Sequence, residues 1–297
     1  MKFLYLKAKA FYNYTISFFI KAYLWVCIKI LRKSKRQNTD ENCDVVVSLT
    51  SYYKRFPTLK WTLQSLLQQK TKYKYRLIVV LSEEDIEKYG RRPEYLKEFE
   101  ERGLEVLVVK ENLKSYKKAF YTYDLGLPLI TTDDDVYYPS WWLEKLMKES
   151  ENTPNTVLAY RGHYIMKDNE EDDFLPYIEW MKWSTKSFIS EATYSLLPTG
   201  TSGIYYPVGA LNGLKESKPK FLEICPHADD LWFRYISVVN GFKAKRIVRK
   251  NIHFKVISCG ESLFEINVAG GENDKQFKKI LAHDSNFHQK LCNEMSI

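Results

Sequence analysis

Leu125-Gly126-Leu127-Pro128-Leu129-Ile130-Thr131-Thr132-Asp133-Asp134-Asp135-Val136-Tyr137-Tyr138-Pro139 decides how the rest of the chain is read. Its first part is apolar and predicts a buried strand, running from Leu125 to Thr131. The strand ends in three consecutive carboxylates. A buried strand with this ending puts negative charge at the carboxyl edge of a sheet, the edge at which open α/β sheets bind ligands. Three acids so close repel one another unless a cation or hydrogen-bond donors offset them. A hard divalent cation fits, since Mg²⁺ typically takes one or two carboxylates and completes its shell with substrate phosphate oxygens. A solvated acidic turn satisfies the same residues, and D-x-D is a short pattern.

Outward from this stretch the chain alternates strands and helices. Asp44-Val45-Val46-Val47-Ser48-Leu49-Thr50 is a β-branched run, a first strand. Ser51 to Phe56 reads as a loop, and Pro57 opens a helix with Leu59, Leu63, Leu66 and Leu67 as its apolar contacts. Tyr75 to Leu81 is a second strand, Ser82-Glu83-Glu84-Asp85 a loop, Pro93 to Arg102 a helix, and Leu104 to Val109 a third strand. This alternation predicts an α/β fold with a mostly parallel sheet. After the acids come a helix opened by Ser140, a strand from Thr156 to Arg161, a Gly-containing turn from Leu197 to Gly203, and the strand Ile204-Tyr205-Tyr206. Asp229-Asp230 then opens the amphipathic run Leu231 to Ile236. A helix N-terminus favours one carboxylate as a cap, which leaves the second for other work. Asp230 is the expected free one and Asp229 the cap.

Composition bounds the function. The chain has 297 residues, 45% hydrophobic, enough for a substantial core. Its formal charge is +8, but nine of the 45 Lys and Arg lie in residues 1–36 with no acid among them. The remaining 36 basic side chains face 37 acidic ones, so the body carries no basic excess and no nucleic-acid partner is expected. Five cysteines, Cys27, Cys43, Cys225, Cys259 and Cys292, form no C-x-x-C pair. A reducing, cytoplasmic setting suits them.

Residues 1–37 read as a basic amphipathic segment and 38–297 as one domain. The charge-free run Ala10 to Ile20 is too short to span a bilayer, which takes about 20 apolar residues. As a helix, the segment aligns Lys9, Asn13, Ser17 and Lys21 in a polar stripe flanked by aromatic faces. That pattern predicts a helix lying on an anionic membrane surface, assisted by the basic cluster Arg32 to Arg36. A spanning anchor and a helix packed on the body are the competing readings.

Taken together, the first strand, Ser115-Tyr116-Lys117-Lys118, Thr132 to Pro139, Pro198 to Tyr206 and Cys225 to Phe233 resemble blocks of a GT-A-fold glycosyltransferase. The similarity is to the family 2-like bacterial enzymes that build capsule, lipopolysaccharide or exopolysaccharide, and it covers roughly residues 43–280. The resemblance implies a single Rossmann-like nucleotide-sugar-binding domain. It implies metal-dependent, inverting transfer from a nucleotide-diphosphate sugar, with a UDP-sugar favoured, to a glycan or lipid-linked acceptor. Asp133 and Asp135 would hold Mn²⁺ or Mg²⁺, with His253 as a late third ligand. Thr50, Ser51, Tyr52 and Arg55 would meet base and ribose, Lys117 and Lys118 the phosphates, and Asp134 the donor site. Asp230, or else Asp229, would be the catalytic base. Trp180, Trp183, Tyr205 and Tyr206 are candidates for stacking on sugar rings. The expected location is the inner face of the cell membrane. A nucleotidyltransferase of related fold and a non-catalytic nucleotide-sugar-binding protein are the alternatives. The first would want a Gly-rich signature that Ser48 to Phe56 lacks, and intact carboxylates at both stations speak against the second.

Overall fold

Consecutive valines at 45–47 have both faces of their strand to bury, and the fold supplies a packed layer on each side. The computed structural model describes residues 2–30, 42–168, 173–257 and 270–295. The basic cluster at 32–36, the boundary at 37/38, most of the acidic stretch 168–173 and Cys259 lie outside these residues.

The strands are β1 (Val45–Thr50), β2 (Tyr75–Ser82), β3 (Leu104–Val109), β4 (Leu129–Thr132), β5 (Val136–Tyr137), β6 (Thr156–Ala159), β7 (Gly162–Tyr164), β8 (Leu196–Pro198), β9 (Ile204–Tyr206), β10 (Lys243–Arg246) and β11 (Lys255–Val256). The helices are α1 (Lys2–Ile30), α2 (Phe56–Leu67), α3 (Glu83–Tyr89), α4 (Tyr95–Glu100), α5 (Lys117–Phe120), α6 (Trp142–Asn152), α7 (Tyr177–Lys186), α8 (Lys218–Ile224), α9 (Asp229–Val239), α10 (Glu272–His283) and α11 (Ser285–Met295).

Seven strands form the central sheet in the order β10-β6-β9-β4-β1-β2-β3. Its pairings are parallel except those of β9, which runs antiparallel to both β4 and β6. The period-2 pleat sends Val45, Val47 and Leu49 to one face, where Phe56, Leu59 and Leu63 of α2 and Trp142 of α6 cover them. Val46, Ile78 and Val80 point to the other, beneath Tyr116, Phe221 and Phe233. The expected parallel α/β sheet is therefore present.

Three local readings change. β4 starts at Leu129, later than Leu125, and Pro128 just before it has no N–H to extend the ladder. The stretch after β2 is helix α3, where the Ser82 hydroxyl accepts from Asp85 N and three acids occupy the first turn. Trp180, Tyr205 and Tyr206 are core residues at 0%, 7% and 3% exposure and so are not free to stack on a sugar, whereas Trp183 is 39% exposed.

Helix α1 packs on the body along one side. Its Ser17 hydroxyl approaches Ile257 O at 3.5 Å, and Leu24 and Cys27 are buried, with Ile28 packed against the core. Of the expected polar stripe, Ser17 thus faces the body, and the side chains of Lys9 and Asn13 lie outside the described ones. Tyr14, Phe18, Phe19, Trp25 and Val26 face outward, each at least 43% exposed. No helix among the described residues is long and apolar enough to cross a membrane.

Between β8 and β9 the chain makes a tight passage that holds the sheet's middle to α6. Gly203 has φ +84°, and a Cβ built there would lie 2.5 Å from Cζ2 of Trp142, whose Nε1 donates to Ser202 O at 2.9 Å. Gly203→Ala is expected to cost on the order of 2–4 kcal/mol, combining left-handed backbone strain with overpacking. Urea unfolding reads this as a lower midpoint at unchanged slope, and a loss below about 1 kcal/mol would show that Trp142 yields easily.

Candidate active site

β4 delivers the acidic triplet to the carboxyl edge of the sheet, and each acid meets a different fate. Asp134 turns inward and is buried. It accepts from Ser51 Oγ at 2.5 Å and from Arg55 Nη1 at 2.6 Å, while Thr62 Oγ1 donates to its carbonyl. Burial raises its pKa, against the pull of Arg55 and Ser51. Asp135 also meets Arg55 Nη1, at 2.8 Å, and its side chain is 17% exposed. Burial pushes this carboxyl up to about 7, again opposed by Arg55. Asp133 is the most open, at 31%, and its backbone N–H donates to Tyr138 Oη at 2.9 Å.

The second acidic station comes from the start of α9, and the two meet. Lys118 Nζ pairs with Asp133 Oδ1 at 3.1 Å and with Asp229 Oδ2 at 3.0 Å. Burial works against the Lys118 charge, but Asp133, Asp229 and Asp230 together raise its pKa well above the ordinary value. Asp229 does not cap α9: the cap position is Ala228, and no side chain caps the helix. The expected cap is instead an ion-pair partner, because the ammonium offers a stronger contact than the amides of the first turn.

Asp230 Oδ2 accepts from Gly200 N at 2.8 Å. Its Oδ1 is buried with no hydrogen-bond partner among the described residues. Burial pushes this carboxyl up to about 7, with Asp229 adding to the rise and Lys118 opposing it. A Cβ at Gly200 would lie 3.2 Å from Asp230 Oδ1, 3.2 Å from Lys118 Nζ and 3.3 Å from Asp133 Oδ1. The absence of a side chain lets both stations and the ammonium close in on the backbone here, where a Cβ would be crowded.

The remaining candidates divide. Lys117 points away from the acids: buried, it pairs with Asp85 Oδ2 at 3.0 Å and donates to Asn112 Oδ1 at 2.9 Å, and burial lowers its pKa. Thr50 Oγ1 donates to Val80 O within the sheet. Tyr52 lies under Arg55, 5.7 Å from ring centroid to guanidinium carbon. His253 accepts through Nε2 from Arg161 Nε at 2.9 Å, so in this arrangement that nitrogen holds an arginine. Among the described residues no group of three or more His, Cys, Asp or Glu side chains is placed to hold a metal ion. Asp133 and Asp135 carry hard carboxylate oxygens of the kind a divalent cation takes, and each is engaged by a cationic side chain.

Tyr138, Asp85 and Arg161 were not anticipated. Arg161 had a signal of the kind used for the triplet, a charged residue straight after a buried apolar run.

No protein-family model and no curated protein matches the chain. Among solved structures, the mannosyltransferase PcManGT from Pyrobaculum calidifontis, in complex with GDP-Man and Mn²⁺, aligns over 98% of this chain and 81% of its own, at 15% identity and a TM-score of 0.50. S. aureus TarS 1–349 aligns over 71% of this chain, at 16% identity and a TM-score of 0.39. Its complex with UDP aligns at 17% and 0.43. These two alignments cover 58% and 59% of the TarS chain. The first likeness, with the mostly parallel seven-stranded sheet, gives this chain the GT-A type of glycosyltransferase fold.

The raised Asp230 carboxyl has a consequence for stability. A group whose folded pKa exceeds its unfolded value of about 3.9 stabilises the fold fully below that value and loses the contribution as pH rises through the folded pKa. Over pH 4 to 8 the loss is on the order of 2–4 kcal/mol. Asp230→Asn should therefore melt close to wild type at pH 4.5 and higher than wild type at pH 8. Parallel melting curves across that window would show that the carboxyl is not raised.

Proposed function

We propose that this chain is a metal-dependent, inverting glycosyltransferase that moves a sugar from a nucleotide-diphosphate donor to a glycan or lipid-linked acceptor in cell-surface polysaccharide synthesis. The observation that carries the reading is the convergence on Gly200 of Asp133, Lys118 and the unpartnered Oδ1 of Asp230. A carboxylate with one oxygen tied to a backbone amide and the other free is oriented for a single proton. Its pKa near 7 suits a general base at neutral pH.

In this reading Asp230 Oδ1 takes the proton of an acceptor hydroxyl as that oxygen bonds to the anomeric carbon. The bond from that carbon to the diphosphate breaks on the opposite side, so the centre inverts. Lys118 holds Asp229 and Asp133 in place and offsets part of their negative charge. Ser51 and Arg55 fix Asp134, and Arg55 also holds Asp135. Mn²⁺ or Mg²⁺ on Asp133 and Asp135, when bound, would supply positive charge to the departing diphosphate. The neighbour bound to GDP-Man and Mn²⁺ agrees in donor class and metal.

Calorimetry with UDP and GDP, with and without Mn²⁺, tests the donor, and nucleotide-sugar hydrolysis tests the chemistry. Asp230→Asn is expected to lower kcat by about 10²–10⁴-fold, the usual worth of a general base, and leave donor affinity within about twofold. Near-normal kcat in that variant would move the base elsewhere, and binding of no nucleoside diphosphate would end the transferase reading.

We further infer peripheral attachment to the inner face of the membrane through the outward side of α1, whose aromatic residues and basic sequence context suit an anionic headgroup layer. The full-length protein should sediment with phosphatidylglycerol vesicles and less with phosphatidylcholine. Phe18→Gln/Trp25→Gln should reduce that binding at least tenfold. Unchanged sedimentation of the double variant would exclude this face.

A further inference from the structure

Arg161, which follows β6 at its Ala159-Tyr160 end, is buried, 8% exposed. Its Nε donates to His253 Nε2 at 2.9 Å and its Nη1 to Thr199 Oγ1 at 2.5 Å. Both acceptors are uncharged, since the His253 nitrogen that takes the Arg161 N–H carries no proton of its own. No carboxylate among the described residues forms an ion pair with it; Asp230 and Asp133 act on its charge only from further off. A buried charge is costly unless paired or saturated with hydrogen bonds.

Most of the other buried cations have a carboxylate or several carbonyl oxygens, whereas Arg102, 4% exposed, donates to the neutral Gln64 Oε1 at 2.7 Å. Arg55 has Asp134 and Asp135, Lys117 has Asp85, and Lys118 has Asp133 and Asp229. Arg234 and Arg246 have no carboxylate in contact, but carbonyl oxygens surround them. Arg234 donates to those of Phe242, Thr193 and Tyr194, and Arg246 to those of Ser184, Ser187, Ile189 and Arg249. Arg161, like Arg102, has neither kind of compensation, but of the two only Arg161 stands within electrostatic reach of Asp230 and Asp133.

A second observation lies beside it. His163, two residues on along the same extended segment and thus on the same face, is 1% exposed. Its ring meets Tyr177 edge-on at 5.5 Å, and neither of its nitrogens has a hydrogen-bond partner among the described residues. A buried polar group left so costs about 1–3 kcal/mol. Across the β7–β8 pair, Thr199 N donates to Arg161 O at 3.1 Å, and the next residue, Gly200, holds Asp230.

We propose that Arg161, Thr199 and His163 form a receptor for an anionic substrate group, a phosphate or a carboxylate, bound next to Asp230. This rests on the transferase reading above and adds a substrate feature to it. The group comes either from the donor's diphosphate or from an anionic substituent of the acceptor or transferred sugar. Arg161 supplies the charge, Thr199 sets the plane of the guanidinium, and His163 offers a neutral N–H.

Calorimetry on the full chain decides it. The proteins are wild type, Arg161→Gln, and the milder Arg161→Lys and Thr199→Val, which answer the question if the first does not fold. The probes are UDP and GDP with Mn²⁺, the corresponding nucleosides, and inorganic phosphate added to protein saturated with the diphosphate. Arg161→Gln is expected to lose about tenfold or more in affinity for one anion, the worth of a charge-assisted pair, with nucleoside binding unchanged. A loss for the diphosphate assigns the site to the donor, and a loss for added phosphate assigns it to the second anionic group. Arg161→Lys should fall between. Affinities within twofold of wild type in all folded variants would overturn the proposal. Wild-type protein that binds phosphate in an Arg161-dependent way but no nucleoside diphosphate would uphold the anion site while removing the transferase reading.

Discussion

One buried ammonium joins the two halves of the cleft. Lys118 stands between Asp133, at the end of β4, and Asp229, at the start of α9, and touches both. Without it the two acidic stations would repel across a space from which water is largely excluded. With it they form a fixed frame, and Gly200 and Asp230 take their places around that frame. Arg55 does the same for Asp134 and Asp135. The acids can gather because each cation meets two of them at contact distance and offsets part of their charge. Removal of either cation leaves uncompensated buried charge, which typically costs several kcal/mol.

Much of this was legible in the sequence. The strands announce themselves because β-branched runs buried on both faces have few other uses, and the triplet marks the ligand edge because charge straight after such a run has to lie at the sheet's rim. The roles within the site were less legible. Lys117 and Lys118 are adjacent and chemically identical, and about 100° of helical rotation separates them. One reaches Asp85 and the other Asp133, a choice set by the phase of a four-residue helix that no pattern of spacing reveals. Asp229 looked like a cap because caps are local, whereas its partner Lys118 is remote in sequence. Arg161 passed unnoticed because its neighbours Thr199 and His253 are brought to it only by tertiary contacts.

The same limit explains the aromatic residues and α1. An aromatic side chain in a sequence does not say whether it lines a cleft or fills a core. The density of core contacts around Trp180 and Tyr206 decides for the core. A helix with one polar stripe can turn that stripe to water or to its own body. Here the body offers the backbone carbonyl of Ile257 and a buried socket for Leu24, and the aromatics are left outside.

That seating ties the N-terminal helix to the acidic triplet. Ile257, whose carbonyl meets Ser17, donates its own N–H to the carbonyl of Asp135, and β11 just before it pairs with β5 just after the triplet. Lys255 reaches the ring of Tyr12 from the same ribbon. The helix therefore serves as a buttress as well as a surface. Trimming it to obtain a better-behaved protein would uncover the Leu24 socket and take a support from behind Asp135 in the same cut. A defect in such a fragment would then reflect a slackened acidic loop as much as the missing helix surface.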